Sequence, residues 1–121
     1  MNQSLTSHIA GHLWTTSSIQ WNEGAAYNWH YAHAALVPSI QIKIISVYFQ
    51  CAFTGTGSLF DVGVTAGIPV FFVCEDLYGD DNIHAFGQIN ANTSTAIIDI
   101  PQTTNPTYRK WVAHFIVPYI V

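Results

Sequence analysis

From Ile45 to Phe53 every second residue is apolar: Ile45, Val47, Phe49, Cys51 and Phe53. The positions between and before them mix Ile42, Ile44 and Tyr48 with Ser46 and Gln50. An extended chain sends successive side chains to opposite faces. Ile40 to Phe53 is therefore expected to form a strand with one fully buried face and one mostly buried face. This is the strongest strand signal in the chain.

The same alternation recurs from Ala25 onward. Tyr27, Trp29, Tyr31 and His33 are expected to share one face of a run ending at Pro38. Leu59 to Thr65, Pro69 to Cys74, Ile83 to Asn90 and Thr95 to Ile100 read as further strands. Tyr108 to Val121 reads as a long terminal strand with Trp111, Phe115, Val117 and Tyr119 on one face. Thr54-Gly55-Thr56-Gly57-Ser58 and Ala66-Gly67 read as turns on composition, Asp76 to Asn82 as a polar loop and Pro101 to Pro106 as a rigid one. Pro118 lacks a ladder donor and is expected at an edge or bulge. About eight strands separated by frequent turn signals, with no convincing helix, imply an all-β domain, a β-sandwich or closed barrel. Long strands near both ends, joined by short turns and longer polar loops, favour a jelly-roll β-sandwich over an up-and-down meander.

Residues 1–24 differ from the rest. Ser, Thr, Asn, Gln and Gly separate isolated apolar residues there. Leu5, Ile9 and Leu13 fall at helical spacing, but Gly11 and the short length oppose a stable isolated helix. The expected organisation is an irregular N-terminal arm over 1–24 and one β-sandwich domain over 25–121.

Charge is scarce. Lys43, Arg109 and Lys110 are the only basic side chains in 121 residues, and the net charge is −4. Phosphate neutralisation supplies most nucleic-acid affinity, so nucleic acid is excluded as a partner. The same shortage argues against an anionic membrane surface, and no apolar run approaches a membrane span. The N-terminal residues lack the basic patch and apolar core of a secretion signal, so the expectation is either assembly in the cytoplasm or a signal already removed. A small domain in free solution normally covers itself with charged side chains. One that carries so few is expected to be covered by copies of itself or by a larger assembly.

The candidates for chemistry are weak. Cys51 and Cys74 make neither a disulfide framework nor a zinc site, although a single bridge between them is left open. His8 and His12 are four apart, but no metalloprotease glutamate follows and no third ligand is near. His30 and His33 fall on opposite faces of one strand, and His84 and His114 are isolated. Glu75, Asp76, Asp80 and Asp81 offer oxygens but lack calcium-loop spacing, and a solvated loop tip is the plainer reading. Asp61 is expected to accept turn hydrogen bonds ahead of Val62-Gly63. Neither a nucleophile elbow nor a phosphate cradle is present. No enzyme, metal or cofactor is expected. Trp29 and Trp111 read as core or subunit-interface residues. Trp21, in the polar setting Gln20-Trp21-Asn22-Glu23, and Tyr78, beside the acidic loop, are the candidate ligand or partner contacts.

Two stretches carry a resemblance. Ile40-x-Ile42-x-Ile44 through Ala52, followed by Phe53-Thr54-Gly55-Thr56-Gly57-Ser58-Leu59-Phe60-Asp61-Val62-Gly63-Val64, resembles small β-sandwich virion proteins of tailed bacteriophages. In these, an apolar strand, a Thr/Gly turn and a strand ending in Val-Gly follow one another. Trp111-Val112-Ala113-His114-Phe115-Ile116-Val117-Pro118-Tyr119 is similar to their closing strand. The likeness runs from Ile40 to the C-terminus. It departs at Thr65-Ala66-Gly67-Ile68-Pro69, where the family carries an aspartate-rich stretch. The resemblance implies a capsid decoration (cement) protein or a fibre head, commonly a homotrimer. A decoration protein would dock on the major capsid protein through its arm, here Leu5, Ile9, Leu13 and Trp14. A carbohydrate-binding module, either a lectin or a receptor-binding fibre tip, is the alternative, because jelly rolls serve both roles.

Overall fold

In the computed structural model, which describes residues 13–24, 27–51, 54–77, 83–102 and 109–121, the chain is all-β and forms one curled antiparallel sheet. Its strands are β1 (Thr15–Ser17), β2 (Gln20–Trp21), β3 (Tyr27–Val37), β4 (Ile42–Cys51), β5 (Gly55–Asp61), β6 (Thr65–Ala66), β7 (Val70–Asp76), β8 (His84–Ile89), β9 (Thr95–Ile100) and β10 (Lys110–Ile120). The order across the sheet is β1-β3-β4-β10-β7-β8-β9-β5-β2, with β6 on the end of β10.

Curling brings the inner faces together around one core. Ile45, Val47 and Phe49 of β4 and Trp111 and Val117 of β10 are fully buried, as the alternation predicts. Phe72 of β7 stacks on Phe115 of β10 with centroids 4.0 Å apart and planes 6° apart. Phe60 of β5 packs 6.2 Å from Phe115. Cys51 and Cys74 are free thiols buried in this core.

The N-terminal segment reaches both ends of the sheet. β1 pairs with β3 at one edge, while β2 pairs with β5 at the other. Only Ser18 and Ile19 separate β1 from β2, so the same short stretch joins both edges. The arm expected through residue 24 thus becomes part of the sheet from Thr15 onward. Backbone pairing with Ala34–Leu36 and with Phe60–Asp61 outweighs its polar composition. An edge strand exposes unpaired backbone groups, and β1 and β2 cover that exposure over Ala34–Leu36 of β3 and Phe60–Asp61 of β5.

Three further readings change. The stretch expected as a turn at Thr54–Ser58 is extended from Gly55, because Gly55, Thr56, Gly57 and Ser58 pair with Ile100, Asp99, Ile98 and Ile97 of β9. A register shift between Tyr27 and Trp29 separates two residues expected on one face. Tyr27 turns inward against Trp21 and Phe49, whereas Trp29 stays outside. Pro118 lies within β10 opposite Ile42. Its carbonyl accepts from Gly67 N at 2.9 Å, while the next residue, Tyr119, donates to Gln41 on the other side at 3.0 Å. The absent N–H of Pro118 therefore points away from β4, where no β4 ladder bond is lost.

Candidate functional site

Two outer faces of the sheet carry exposed apolar and aromatic side chains. The first lies over β3, β4 and β10. Register places Tyr31 beside Tyr48 and Val112, and His33 beside Ser46 and His114. Trp29 lies in the next row with Gln50 and Lys110, and Ile44 pairs with Ile116. The Tyr31 hydroxyl and His33 Nε2 are 2.7 Å apart, and His114 Nδ1 and Ser46 Oγ are 2.8 Å apart. Tyr31 and Tyr48 stand 6.1 Å apart with ring planes tilted by 40°. A depression of about 370 Å³ opens between Trp29, Tyr31, His33 and Tyr48.

The second face lies over β5, β7, β8 and β9. Val73 pairs with Phe86, Phe86 with Asp99, and Asp99 with Thr56, whose hydroxyl donates to the carboxylate at 3.3 Å. The adjoining row is Phe71, Gln88, Ile97 and Ser58. Phe71 is 75% exposed and Phe86 61%, and the rows border a shallow depression of about 420 Å³. Strands β7 and β8 carry apolar side chains on both faces, and only the inner face is covered.

The basic side chains are all engaged within the chain. Lys43 is 2% exposed, with Nζ donating to the Ser18 carbonyl at 2.5 Å and the Val62 carbonyl at 2.6 Å. Burial lowers its pKa, against a smaller opposing pull from Asp61. Gly63 leaves room for this ammonium: its φ is +78°, and a Cβ there would sit 3.0 Å from Nζ. Asp61 accepts from Gly63 N at 2.8 Å, the turn bond anticipated from sequence, and from the Ser94 hydroxyl at 2.7 Å. Arg109 pairs with Asp76, and Lys110 Nζ lies 5.5 Å from the centre of the Trp29 ring.

The sequence candidates divide among these places. Leu13 is 88% exposed and Trp14 is exposed beside it, just ahead of β1, whereas Leu5, Ile9 and Tyr78 lie outside the described residues. So do His8, His12, Asp80 and Asp81. Trp21 corrects the expectation of a surface contact, being 8% exposed. It stacks on His30 at 4.6 Å and meets Tyr27 and Phe60 edge-on at 5.3 Å each. Pairing of Trp21 with Phe60 turns the indole inward whatever its polar neighbours suggest. Trp111 is fully buried, while Trp29 is partly exposed.

The surface residues that the sequence does not single out are Phe71, Val73 and Phe86 on one face and Tyr48 and Ser46 on the other, where His114, isolated in sequence, is hydrogen-bonded to Ser46. Their signal was a strand apolar on both faces, or a polar residue inside an aromatic run. Neither reveals which face stays open. Ser46 and His114 form a hydroxyl–imidazole pair, but no carboxylate is bonded to His114 among the described residues. Nor do three metal-ligating side chains cluster among them. Comparison with protein-family models, with curated proteins and with solved structures found no match, so any functional reading of this chain rests on its own geometry.

Proposed function

We propose that this chain is a structural subunit of a virion, a jelly-roll capsid decoration (cement) protein. On this reading it assembles as a homotrimer and docks on the major capsid protein, without nucleic acid or membrane. The observation that carries the reading is the uncovered patch of Phe71, Val73 and Phe86 on neighbouring rows of β7 and β8. Apolar patches of this kind on small domains mark interaction surfaces. Burying them contributes about 25 cal/mol per Å² of apolar area. Many copies on a shell then act together, each contact raising the effective concentration of the next.

Support for the jelly-roll wrap comes from the chain path. β4 leads across the core to β5, and β9 leads back to β10, which inserts between β4 and β7. Exposed Leu13 and Trp14 ahead of β1 are the described part of the docking segment.

Light scattering of the purified protein tests the assembly. A trimer that dissociates on Phe71→Ser/Phe86→Ser supports the reading, and a monomeric wild type overturns it. Capsid co-sedimentation tests the docking. Leu13→Ser/Trp14→Ser should leave the native mass unchanged and abolish binding, and retained binding removes the docking role.

A further inference from the structure

We propose that the depression over β3 and β4 is a binding site for a neutral saccharide. Among the described residues, Trp29, Tyr31, His33 and Tyr48 line it. Its volume of about 370 Å³ lies within the range of sites that hold small ligands.

The geometry suits a sugar ring. The phenol rings of Tyr31 and Tyr48 stand 6.1 Å apart at 40°, so they form an open wedge and do not close face to face. Aromatic faces of this kind receive the C–H face of a pyranose, which carries little hydration. Hydroxyl groups at the sugar's edge then need donors and acceptors close by. The Tyr31–His33 pair supplies both at 2.7 Å, and the Ser46–His114 pair lies in the neighbouring cross-strand row. The Tyr48 hydroxyl makes no hydrogen bond among the described residues and is available to a ligand.

Charge decides the class of sugar. Among the described residues, the lining holds no carboxylate and no guanidinium. The cation beside it, Lys110, lies 5.5 Å from the Trp29 ring centre. An anionic sugar would lack the bidentate partner that such groups select. A nucleic acid would lack the cations that bind its phosphates. The site shares no residue with the Phe71–Phe86 face and does not depend on the assembly reading.

The test uses the intact protein on an array of neutral and anionic glycans, followed by titration of the best neutral oligosaccharide monitored by tryptophan fluorescence. Binding to neutral glycans is expected, weakened at least about tenfold by Tyr31→Ala and by Tyr48→Ala. Both variants should keep the wild-type melting temperature and native mass. Absence of binding to any neutral glycan overturns the proposal, as does preference for sialylated or sulfated glycans. Undiminished binding by both tyrosine variants overturns the assignment of the site. A native mass lowered by Tyr31→Ala or Tyr48→Ala, without glycan binding, identifies this face as a contact between copies and likewise overturns it.

Discussion

The Nζ of Lys43 donates to the carbonyl of Ser18 at 2.5 Å, tying the short segment between β1 and β2 to the middle of the sheet. The same ammonium donates to Val62 at 2.6 Å, where the chain leaves β5. One buried cation thus holds the stretch that joins the two edges. Hydrogen bonds from a charged donor contribute about 1.5–3 kcal/mol, and an orphaned buried carbonyl costs about 1–3 kcal/mol.

Lys43→Met is therefore expected to lose about 2–3 kcal/mol, read as a lower urea midpoint at unchanged slope. A midpoint at or above wild type would mean that the cost of burying the ammonium exceeds what its two bonds return. The variant also has a pH signature. Burial lowers the folded-state pKa of Lys43, so between that value and 10.5 the unfolded chain binds more protons. Stability gains an upward slope with pH in that window, and Lys43→Met should remove it.

Trp21 anchors the other end of that stretch, where β2 meets β5. Truncating it to alanine removes an indole packed on His30, Tyr27 and Phe60, and core truncations of this size cost about 3–5 kcal/mol. Trp21→Ala is expected to lower the melting temperature sharply and to expose the β2–β5 ladder to hydrogen exchange. A loss below about 1 kcal/mol would show that the edge is held without the indole.

Gly87 sits directly opposite Phe72, whose ring occupies the space a side chain would need. A Cβ at Gly87 would lie 2.2 Å from two atoms of that ring. Gly87→Ala must displace Phe72 from its stack on Phe115, and overpacking of this kind costs about 1–3 kcal/mol. Thermal unfolding of Gly87→Ala/Phe72→Leu should show part of that loss recovered. If the double variant is the less stable by the full sum of both changes, the two residues act independently.

Cys74 gives an alkaline decline. Burial, with a smaller contribution from Cys51, pushes its thiol from 9.0 up to about 12. The unfolded chain loses that proton first, so stability is complete below about pH 9 and falls as pH rises toward 12. Tyr27, raised above its usual 10.0 by burial, acts with the same sign at higher pH. Cys74→Val should flatten the decline above pH 9, measured by urea unfolding at stepped pH. In the native protein the thiol should resist an aromatic disulfide reagent at pH 8 and react on unfolding. Rapid native-state reaction would contradict its burial.

How far the fold was legible depends on the range of the interactions involved. Thr95–Ile100 coincides with β9, and the inward residues of Ile42–Cys51 are those the alternation marks. Alternation is a local consequence of extended backbone, so residues two apart reveal it. Gly55–Ser58 was misread because their extended form comes from pairing with Ile97–Ile100, far along the chain. The aromatic face was half visible: Trp29, Tyr31 and His33 alternate, but the shift after Tyr27 and the arrival of Tyr48, Ser46 and His114 belong to strand register. The sequence by itself determined that this chain is extended, apolar within its strands and poor in surface charge. Tertiary structure decided that Trp21 is buried, that Lys43 ties Ser18 to Val62 from within, and that Phe71 and Phe86 stay uncovered. These outcomes turn on which distant strands meet, and that long-range pairing is encoded in no local pattern.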